Sequence, residues 1–397
     1  MTRPGTPPRS SLRVLRERDF APFFVGNLLS NCGTWFQNIA QALLVYRLTE
    51  SSFLVGVTSF AQFAAVIVLA PWAGAAADRL DRRRLIVATQ LGAAAVTGTL
   101  AALAAAGRAS VGVVIGLALL LGVGTAFATP ALGAILPSLV PRDDLGAAVA
   151  MNSVTFNLAR AVGPVAGAVV VARLGIPWAF GLNALSYLAL VAAVLVVRPR
   201  PAAERPAERP RLRDSLRMLG TRRDLALLLA VVAAVSVTLD PMNTLGPQLA
   251  SEVFGKPDTT AGWLIGAFGV GAVTASVAPQ GSAARPHRRI AAMTALMGAG
   301  TLGFALAPSL PVAYCALAVA GFGYLSGQTR ATTLLQLGVG DHERGRIMAL
   351  WSVAFLGSRP LASLADGALA SAVGPRLATA AMTLPVFAVA VLLLRTP

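Results

Sequence analysis

Residues 53–84 read FLVGVTSFAQFAAVIVLAPWAGAAADRLDRRR. The first 25 residues of this stretch carry no charge, whereas the last seven contain four arginines and two aspartates. A helix of about twenty apolar residues crosses the hydrocarbon region of a bilayer, because all its backbone hydrogen bonds form within the segment. The stretch therefore predicts a membrane-spanning helix that ends at a basic surface.

The whole chain has the same apolar character. Of its 397 residues, 56% are hydrophobic and 13% are charged, whereas a soluble domain carries about a quarter charged residues. This excludes an ordinary soluble protein, and so apolar a chain has no surface for a nucleic-acid-binding domain despite its net charge of +16. Cys32, Cys315, His287 and His342 show no metal-ligand spacing, and the sequence contains neither a catalytic triad nor a phosphate-binding loop. We therefore expect no enzyme, no cofactor and no metal.

Twelve apolar segments are long enough to span a membrane. They lie at residues 20–46, 53–77, 85–106, 111–136, 146–172, 177–197, 225–249, 261–279, 290–307, 311–337, 346–372 and 376–394. Loops rich in arginine and lysine stay on the cytoplasmic side. With the N-terminus inside, 25 of the 33 basic residues fall on the cytoplasmic side and five on the external side. The sequence predicts a multi-pass protein of the inner (plasma) membrane with both termini in the cytoplasm.

The two halves of the chain are similar in sequence. SLRVLR at residues 11–16 matches SLRMLG at 215–220, and Gly122/Gly321 and Arg160/Arg359 pair at an offset of 199. Chance similarity between alanine-rich helices is the alternative. The repeat predicts an all-α protein with a cytoplasmic segment (1–19), a six-helix bundle (20–197), a cytoplasmic linker (198–223) and a second six-helix bundle (224–397). Such a duplication is typical of transporters whose halves move about a central site.

A short motif follows the second span. It contains Gly74, Asp78, Arg79, Arg82 and Arg83 in the order GAAADRLDRRR. A small residue near a helix end allows close packing, and an aspartate there can cap a helix or face its positive end. A plain basic loop would explain the arginines but not the spacing of Gly74 and Asp78.

The fifth span contains a second motif, ARAVGPVAGA at residues 159–168, with Gly163, Pro164 and Gly167. Small residues and a proline favour a closely packed helix that kinks easily. Together the two motifs resemble the loop signature Gly-x-x-x-Asp-Arg-x-Gly-Arg-Arg and the antiporter motif Gly-x-x-x-Gly-Pro-x-x-Gly-Gly of the major facilitator superfamily. In this chain Asp81 replaces the second glycine of the loop signature.

The resemblance covers residues 20–395 and is strongest to the bacterial branch of enterobactin exporters and drug-efflux proteins (transmembrane secretion effectors). It implies twelve transmembrane helices in two pseudo-symmetric bundles, alternating access, export and a central cavity lined by the first helix. The superfamily's fourth helix often carries an arginine about four residues before a glycine pair, but this chain has Ala118 there. Proton coupling through that arginine therefore does not carry over.

Polar residues within spans mark the candidate pathway, because an unpaired polar group in hydrocarbon costs several kcal/mol. The first span has a polar face whose members recur at helical spacing, and each of them either lines a cavity or bonds to a neighbouring helix. These cavity candidates are Asn27, Asn31, Thr34, Asn38 and Gln41.

Two acidic residues lie within the spans, and both are candidates for proton coupling. Asp240 precedes Pro241 and is close in sequence to Asn243, a further cavity candidate. Asp366 is closer to the outer end of its helix, where it could instead be interfacial. Burial disfavours the charged form of a carboxyl group, which is the property that proton loading and release require.

Arg160 and Arg359 fall near the middle of their spans and are the remaining cavity candidates. Arginine stays charged there, so each needs a carboxylate, carbonyl oxygens, water or an anionic substrate. A structural ion pair is the alternative.

These features predict a monomeric, proton-driven exporter of a small amphipathic compound such as a siderophore or an antibiotic, with Asp240 as the leading proton site. Two other functions fit the same sequence. A lysophospholipid flippase would need a lateral opening between helices, and a membrane sensor would normally need an added soluble domain.

Overall fold

A computed structural model of the chain describes residues 11–200, 222–278, 285–340 and 343–395. These ranges contain helices joined by short turns and no β-strand. A 3-10 turn, Ser11–Arg16, precedes the first long helix. The matching segment that begins at Ser215, and most of the predicted linker, lie outside the described residues.

Six long helices form the first half. They are α1 (Phe20–Thr49), α2 (Ser52–Arg79), α3 (Arg82–Ala105), α4 (Val111–Ile135), α5 (Leu145–Leu174) and α6 (Ile176–Val196). Each coincides with one of the predicted spans to within a few residues, because a long apolar run bounded by charged or turn-forming residues leaves little freedom in where a helix begins and ends.

Within the described residues the second half also contains six long helices, three of them interrupted. They are α7 (Arg223–Leu239, Pro241–Thr244, Gly246–Gln248 and the π-turn Leu249–Val253), α8 (Thr260–Val277), α9 (Pro286–Ala305), α10 (Leu310–Leu337), α11 (Arg344–Gly357 and Arg359–Val373) and α12 (Pro375–Ala381 and Leu384–Leu394). In α7 and α11 a proline lies directly after an interruption. Proline has no N–H to donate within the helix, so the regular hydrogen-bond pattern is broken there.

Ten helices of the described ranges are long and apolar enough to cross a membrane. The other two long helices, α1 and α9, are more polar. α1 carries several amide side chains, and α9 begins with His287, Arg288 and Arg289. Both pack inside the bundle, α1 beneath α5 and α9 against α10. The all-α membrane fold predicted from the sequence is confirmed.

The internal repeat is visible in the packing of two glycines. Gly122 in α4 lies on the carbonyl oxygen of Gln62 in α2, and Gly321 in α10 lies on that of Phe268 in α8, so neither position has room for a Cβ atom. Because Gly122 and Gly321 are related by the offset of 199, α2–α4 and α8–α10 pack in the same way. The structure thus consists of two pseudo-symmetric six-helix bundles.

The two ends of the bundle differ in how the halves meet. We call the end that carries Arg79, Arg82, Arg198 and Arg222 the linker end, and the opposite end, with Arg47 and Asp258, the distal end. At the distal end Arg47 contacts Asp258 through two hydrogen bonds, with Nε–Oδ2 and Nη2–Oδ1 distances of 2.6 and 2.8 Å.

Other polar groups extend this distal contact between the halves. The Tyr46 hydroxyl donates to Oε1 of Glu252 over 2.9 Å, and the Ser52 hydroxyl donates to Oε1 of Gln248 over 2.7 Å. The distal ends of α1 and α2 are therefore bonded to the distal end of α7.

Two helix pairs close the distal end in matching ways. A Cβ atom on Gly262 of α8 would lie 2.6 Å from the carbonyl oxygen of Pro164 in α5, and Gly56 of α2 packs still more closely on the carbonyl oxygen of Ser363 in α11. Pro164 and Ser363 are also related by the offset of 199. The distal closure therefore follows the internal repeat.

Candidate functional site

Two interrupted helices meet at the centre of the bundle. The regular part of α7 ends at Leu239, so that Asp240 occupies the turn before Pro241 and its N–H bonds to the carbonyl of Val237 over 3.2 Å. Likewise α11 restarts at Arg359, directly before Pro360. These prolines hold an acidic and a basic residue at breaks in facing helices.

Asp240 and Arg359 form an ion pair at this point. Oδ1 of Asp240 lies 3.6 Å from Nε of Arg359, and the two side chains are 4% and 14% exposed. Oδ2 of Asp240 accepts a hydrogen bond of 3.1 Å from the Thr244 hydroxyl, and the Arg359 guanidinium lies 4.4 Å from the centre of the Phe63 ring. Asp240 therefore has a cation and a hydroxyl donor to stabilise its charge. A structural ion pair was the alternative to a cavity role for Arg359 in the sequence analysis, and the structure contains such a pair.

Asp366 lies next to this ion pair. It is completely buried, and within the described part of the chain no hydrogen-bond donor reaches either of its carboxyl oxygens. Its charged neighbour is the carboxyl group of Asp240. The interfacial position considered from the sequence is therefore wrong, because the second segment of α11 turns Asp366 towards α7 and away from the membrane surface.

Arg160 occupies the repeat-related position on α5 but has a different environment. Its Nη1 donates a hydrogen bond of 2.7 Å to the Tyr324 hydroxyl, and its guanidinium carbon lies 4.6, 5.6 and 6.0 Å from the ring centres of Tyr324, Phe268 and Trp35. Among the described residues it forms no ion pair with a carboxylate. It is also close enough to Arg359 for the two charges to repel.

Two small cavities lie between the halves beside these arginines. They leave about 40 and 20 Å³ for the centres of water molecules, which is room for a few waters and too little for a drug-sized ligand. Both cavities are lined by Trp35, Asn243, Ile265 and Arg359. Arg160 lines the smaller one, and Asn38 and Gln41 line the larger one.

The polar face of α1 therefore divides between two roles. Asn38 and Gln41 reach the larger cavity, where Gln41 also donates to Gln62 over 3.1 Å. Thr34 lines neither central cavity, since its hydroxyl bonds to the Ser30 carbonyl and lies 3.4 Å from the hydroxyl of Tyr187 in α6.

Asn27 and Asn31, which lie nearer the linker end, also form hydrogen bonds with helix residues. Asn27 donates to Asn152 of α5 over 2.9 Å, and Asn31 donates back to the Asn27 carbonyl over 2.7 Å. For Asn27 and Thr34 the structure thus gives the helix-to-helix bonding that was the alternative to a cavity position, whereas Asn31 bonds within α1.

A larger space opens between α5 and α8 on the linker side of Arg160. It offers about 250 Å³ and is lined mainly by apolar groups, with Arg160 and Tyr324 at its inner end. Val154, Leu158 and Val273 on its rim are 43–49% exposed. We call this space the α5–α8 groove, and it connects the surface of the spanning region with Arg160.

The antiporter-like motif performs the packing predicted for it. A Cβ atom on Gly163 would lie 2.5 Å from Cβ of Trp35, and one on Gly167 would lie 2.9 Å from Cα of Phe36. Pro164 contacts Gly262 of α8 on the other side. α5 is thus held between α1 and α8, and this contact fixes Trp35 beside Arg160.

The loop motif after α2 behaves differently from the sequence expectation. A Cβ atom on Gly74 would meet nothing within 4 Å, so the close packing expected there is absent from this conformation. Asp81, which departs from the family signature, caps α3 by accepting a 2.7 Å hydrogen bond from the N–H of Arg84. Asp78 and Arg79 are exposed at the end of α2.

The other two arginines of the motif bind helix ends. Arg82 donates to the carbonyl of Ala134 in α4 over 3.2 Å, and Arg83 donates to the carbonyl of Leu195 in α6. Carbonyl groups at a helix C-terminus lack intrahelical partners and attract cations. These arginines therefore hold the linker ends of three helices together.

Sequence reasoning missed the aromatic partners of the arginines and the glycine through which α8 packs on α5. Phe63, Phe268 and Tyr324 lie in runs that read as ordinary apolar spans, and Gly262 matches no motif. The Asp-Pro and Arg-Pro dipeptides at 240–241 and 359–360 are a signal that could have located the ion pair, because a proline within a span interrupts the helix at that point.

The comparisons with known proteins agree with this architecture. A family model described as "Transmembrane secretion effector" matches residues 9–397. The chain therefore belongs to this family of the major facilitator superfamily, and it is a secondary transporter.

Two curated relatives and one solved structure illustrate the similarity. The staphyloferrin A transporter of Staphylococcus aureus is 31% identical over 170 residues, which are 43% of each chain. The multidrug efflux pump Tap of Mycobacterium tuberculosis is 26% identical over 407 residues, covering 96% of this chain and 95% of Tap. The crystal structure of a bacterial homologue of the human lysosomal transporter Spinster, in an inward-facing and occupied conformation, aligns with a TM-score of 0.77 at 14% identity, covering 99% and 98% of the two chains.

Proposed function

We propose that the protein exports a small amphipathic organic compound, such as a siderophore or an antibiotic, in exchange for protons across the inner membrane. The linker end and both termini face the cytoplasm in this proposal, since the predicted cytoplasmic side holds 25 of the 33 basic residues. The functions of the two relatives, multidrug efflux and staphyloferrin A transport, support this substrate class.

The observation that carries the proposal is the buried carboxyl pair of Asp240 and Asp366. One of the two has Arg359 and Thr244 as partners, and the other has no donor among the described residues. Two carboxyl groups that share a low-dielectric site do not both ionise without a large cost in free energy. The pair therefore holds one proton, with Asp366 protonated and Asp240 ionised against Arg359.

Alternating access gives this proton its role in transport. The distal closure described above separates the pair from the external side, while a Cβ atom on Gly74 at the linker end would meet nothing within 4 Å. This is the arrangement expected of a conformation that opens towards the cytoplasm. When the distal end opens instead, Asp366 takes up a proton from outside, and its release on the inner side drives export.

The six-helix bundles at 20–197 and 224–397 are the moving halves in this proposal, and one copy of the chain is sufficient for transport. The residues that contribute to the substrate site each line at least one of the two central cavities, and they are Arg160, Arg359, Asn38, Gln41 and Asn243. We assign no catalytic role to any of these residues, since transport requires no covalent step.

Proton movement driven by a compound tests the proposal. The purified full chain is reconstituted in vesicles that enclose a fluorescent pH indicator, and amphipathic probes such as N-phenyl-1-naphthylamine or 1-anilinonaphthalene-8-sulfonate are added. We expect probe-driven proton movement with the wild type and its loss with Asp366→Asn, which removes the titrating group but keeps the side-chain volume.

Asp224→Asn is the matched control for the acidic pair. Asp224 lies at the linker end of α7 and bonds to Arg222 over 3.0 Å, far from the ion pair, so coupling should persist. Retained proton movement in both Asp240→Asn and Asp366→Asn, with protein that still elutes as a single species in detergent, would exclude the carboxyl pair from the mechanism.

A second candidate function is a flippase for lysophospholipids. The α5–α8 groove supplies the lateral opening that this function requires, since its apolar rim is exposed within the spanning region. Movement of a labelled lysophospholipid between leaflets, with no response to the soluble probes, would favour the flippase.

A further inference from the structure

We infer that the substrate is an organic anion with an apolar body, held with its charged group at Arg160 and Tyr324 and its apolar part in the α5–α8 groove. This inference rests on the proposed function and deepens it, since it names the chemistry of the compound that the central site accepts.

The charges at the centre of the bundle are unequal. Two guanidinium groups, those of Arg160 and Arg359, line the same small cavity. With one proton on the carboxyl pair, a single carboxylate charge faces them, and that charge lies on Asp240, within 3.6 Å of Arg359. Arg160 keeps a charge that no described carboxylate matches. An arginine charge in low dielectric is costly unless an anion accompanies it.

The neighbours of Arg160 are suited to holding such an anion. Its ring contacts with Tyr324, Phe268 and Trp35 stabilise a cation without neutralising it. The Tyr324 hydroxyl accepts the hydrogen bond from Arg160 and therefore has its own proton free to donate elsewhere. A carboxylate or phosphate oxygen beside these groups would receive one hydrogen bond from the guanidinium and one from the phenol.

The shape of the surrounding space places the apolar part of the ligand. The two central cavities leave about 40 and 20 Å³, whereas the groove that begins at Arg160 offers about 250 Å³. Its walls are side chains such as Leu158, Phe268 and Leu325, which match hydrocarbon or aromatic surface. Only an amphipathic ligand uses both the groove and the charge at its inner end.

Two fluorescent compounds that differ by a single anionic group test the inference. 1-Anilinonaphthalene-8-sulfonate carries the anilinonaphthalene rings of N-phenyl-1-naphthylamine together with a sulfonate. We expect wild-type vesicles to transport the sulfonate at least tenfold faster than the neutral compound. Arg160→Gln should lower the ratio of sulfonate transport to transport of the neutral compound about tenfold, and Tyr324→Phe should lower this ratio by a smaller factor.

Arg108→Gln is the matched control, because Arg108 is exposed in the turn between α3 and α4 at the distal end. It should leave the sulfonate rate as in the wild type. If Arg160→Gln fails to fold, the inference is tested with Tyr324→Phe and with a sulfonate competition assay on the wild-type protein.

The same vesicles separate the possible sources of the anion. Arg160-dependent transport of the soluble sulfonate supports a free organic anion, and Arg160-dependent movement of lysophosphatidylglycerol supports a lipid with the same chemistry. Equal transport of the neutral compound and the sulfonate, or an equal loss of both in Arg160→Gln, would overturn the inference while proton coupling stands. Absence of proton movement with every compound would instead contradict the proposed function.

Discussion

Arg160 and Arg359 occupy the same place in the two halves and meet different partners. The offset of 205 that relates Ala21 to Ala226 pairs Trp35 of α1 with Asp240 of α7. Arg160 lies over Trp35, and Arg359 forms an ion pair with Asp240. Equivalent helices therefore bring an indole to one arginine and a carboxylate to the other.

The difference shows how a duplicated fold acquires an asymmetric centre. The repeat preserved the backbone contacts, as Gly56 and Gly262 both pack on repeat-related carbonyl oxygens. Divergence acted on the side chains that face the arginines. As a result one of the arginines has a carboxylate partner, while the other has none among the described residues.

Removing the carboxylate from the paired arginine should have the largest effect on stability. Asp240→Asn leaves the Arg359 charge buried without its ion-pair partner, so we expect a loss of about 3 kcal/mol in the free energy of unfolding. Chemical and thermal unfolding of the purified protein in detergent measures the change. Adding Arg359→Gln to Asp240→Asn should recover most of it, and a double variant less stable than the single one would contradict the ion pair as the cause.

The symmetric part of the comparison predicts two similar, intermediate effects. Gly56→Ala and Gly262→Ala each place a Cβ atom against a backbone oxygen of the other half, so each should destabilise the distally closed form by about 1–3 kcal/mol. Thermal unfolding in detergent compares them with Gly92→Ala, where the added Cβ has nothing within 4 Å. A loss at one glycine alone would show that the distal closure is not symmetric in energy.

Tyr324→Phe should have the smallest effect on stability. It removes a hydrogen bond of 2.7 Å from Arg160 but leaves the three aromatic rings around the guanidinium, so we expect a loss of about 1 kcal/mol. The same unfolding measurement applies, with Tyr314→Phe in α10 as the matched substitution. A loss as large as that of Asp240→Asn would mean that the two arginines depend equally on protein partners.

Several parts of the site could be predicted because they depend on local composition. Arg160, Arg359 and Asp240 stand out as charged residues in apolar spans, and all three lie together at the centre. The glycines of the fifth span indicated close packing, and Gly163 and Gly167 pack closely on α1. These features follow from the rarity of charge and the frequency of small residues in membrane helices.

Other parts of the site could not be predicted because they depend on how each helix is oriented about its own axis relative to its neighbours. Asn27 and Thr34 share a face with Asn38 and Gln41, yet the first two bond to neighbouring helices while the last two reach a cavity. A helical wheel gives the angle between residues and says nothing about which neighbour occupies that angle at each depth.

The sequence by itself determined that this protein is an all-α membrane protein with two related halves, because the length of apolar runs and the placement of arginines are one-dimensional properties. Only the tertiary structure decided which arginine has a carboxylate, that Asp366 lies beside Asp240, and that a groove leads to Arg160. Those outcomes depend on contacts between residues more than a hundred positions apart, and helix packing alone brings such residues together.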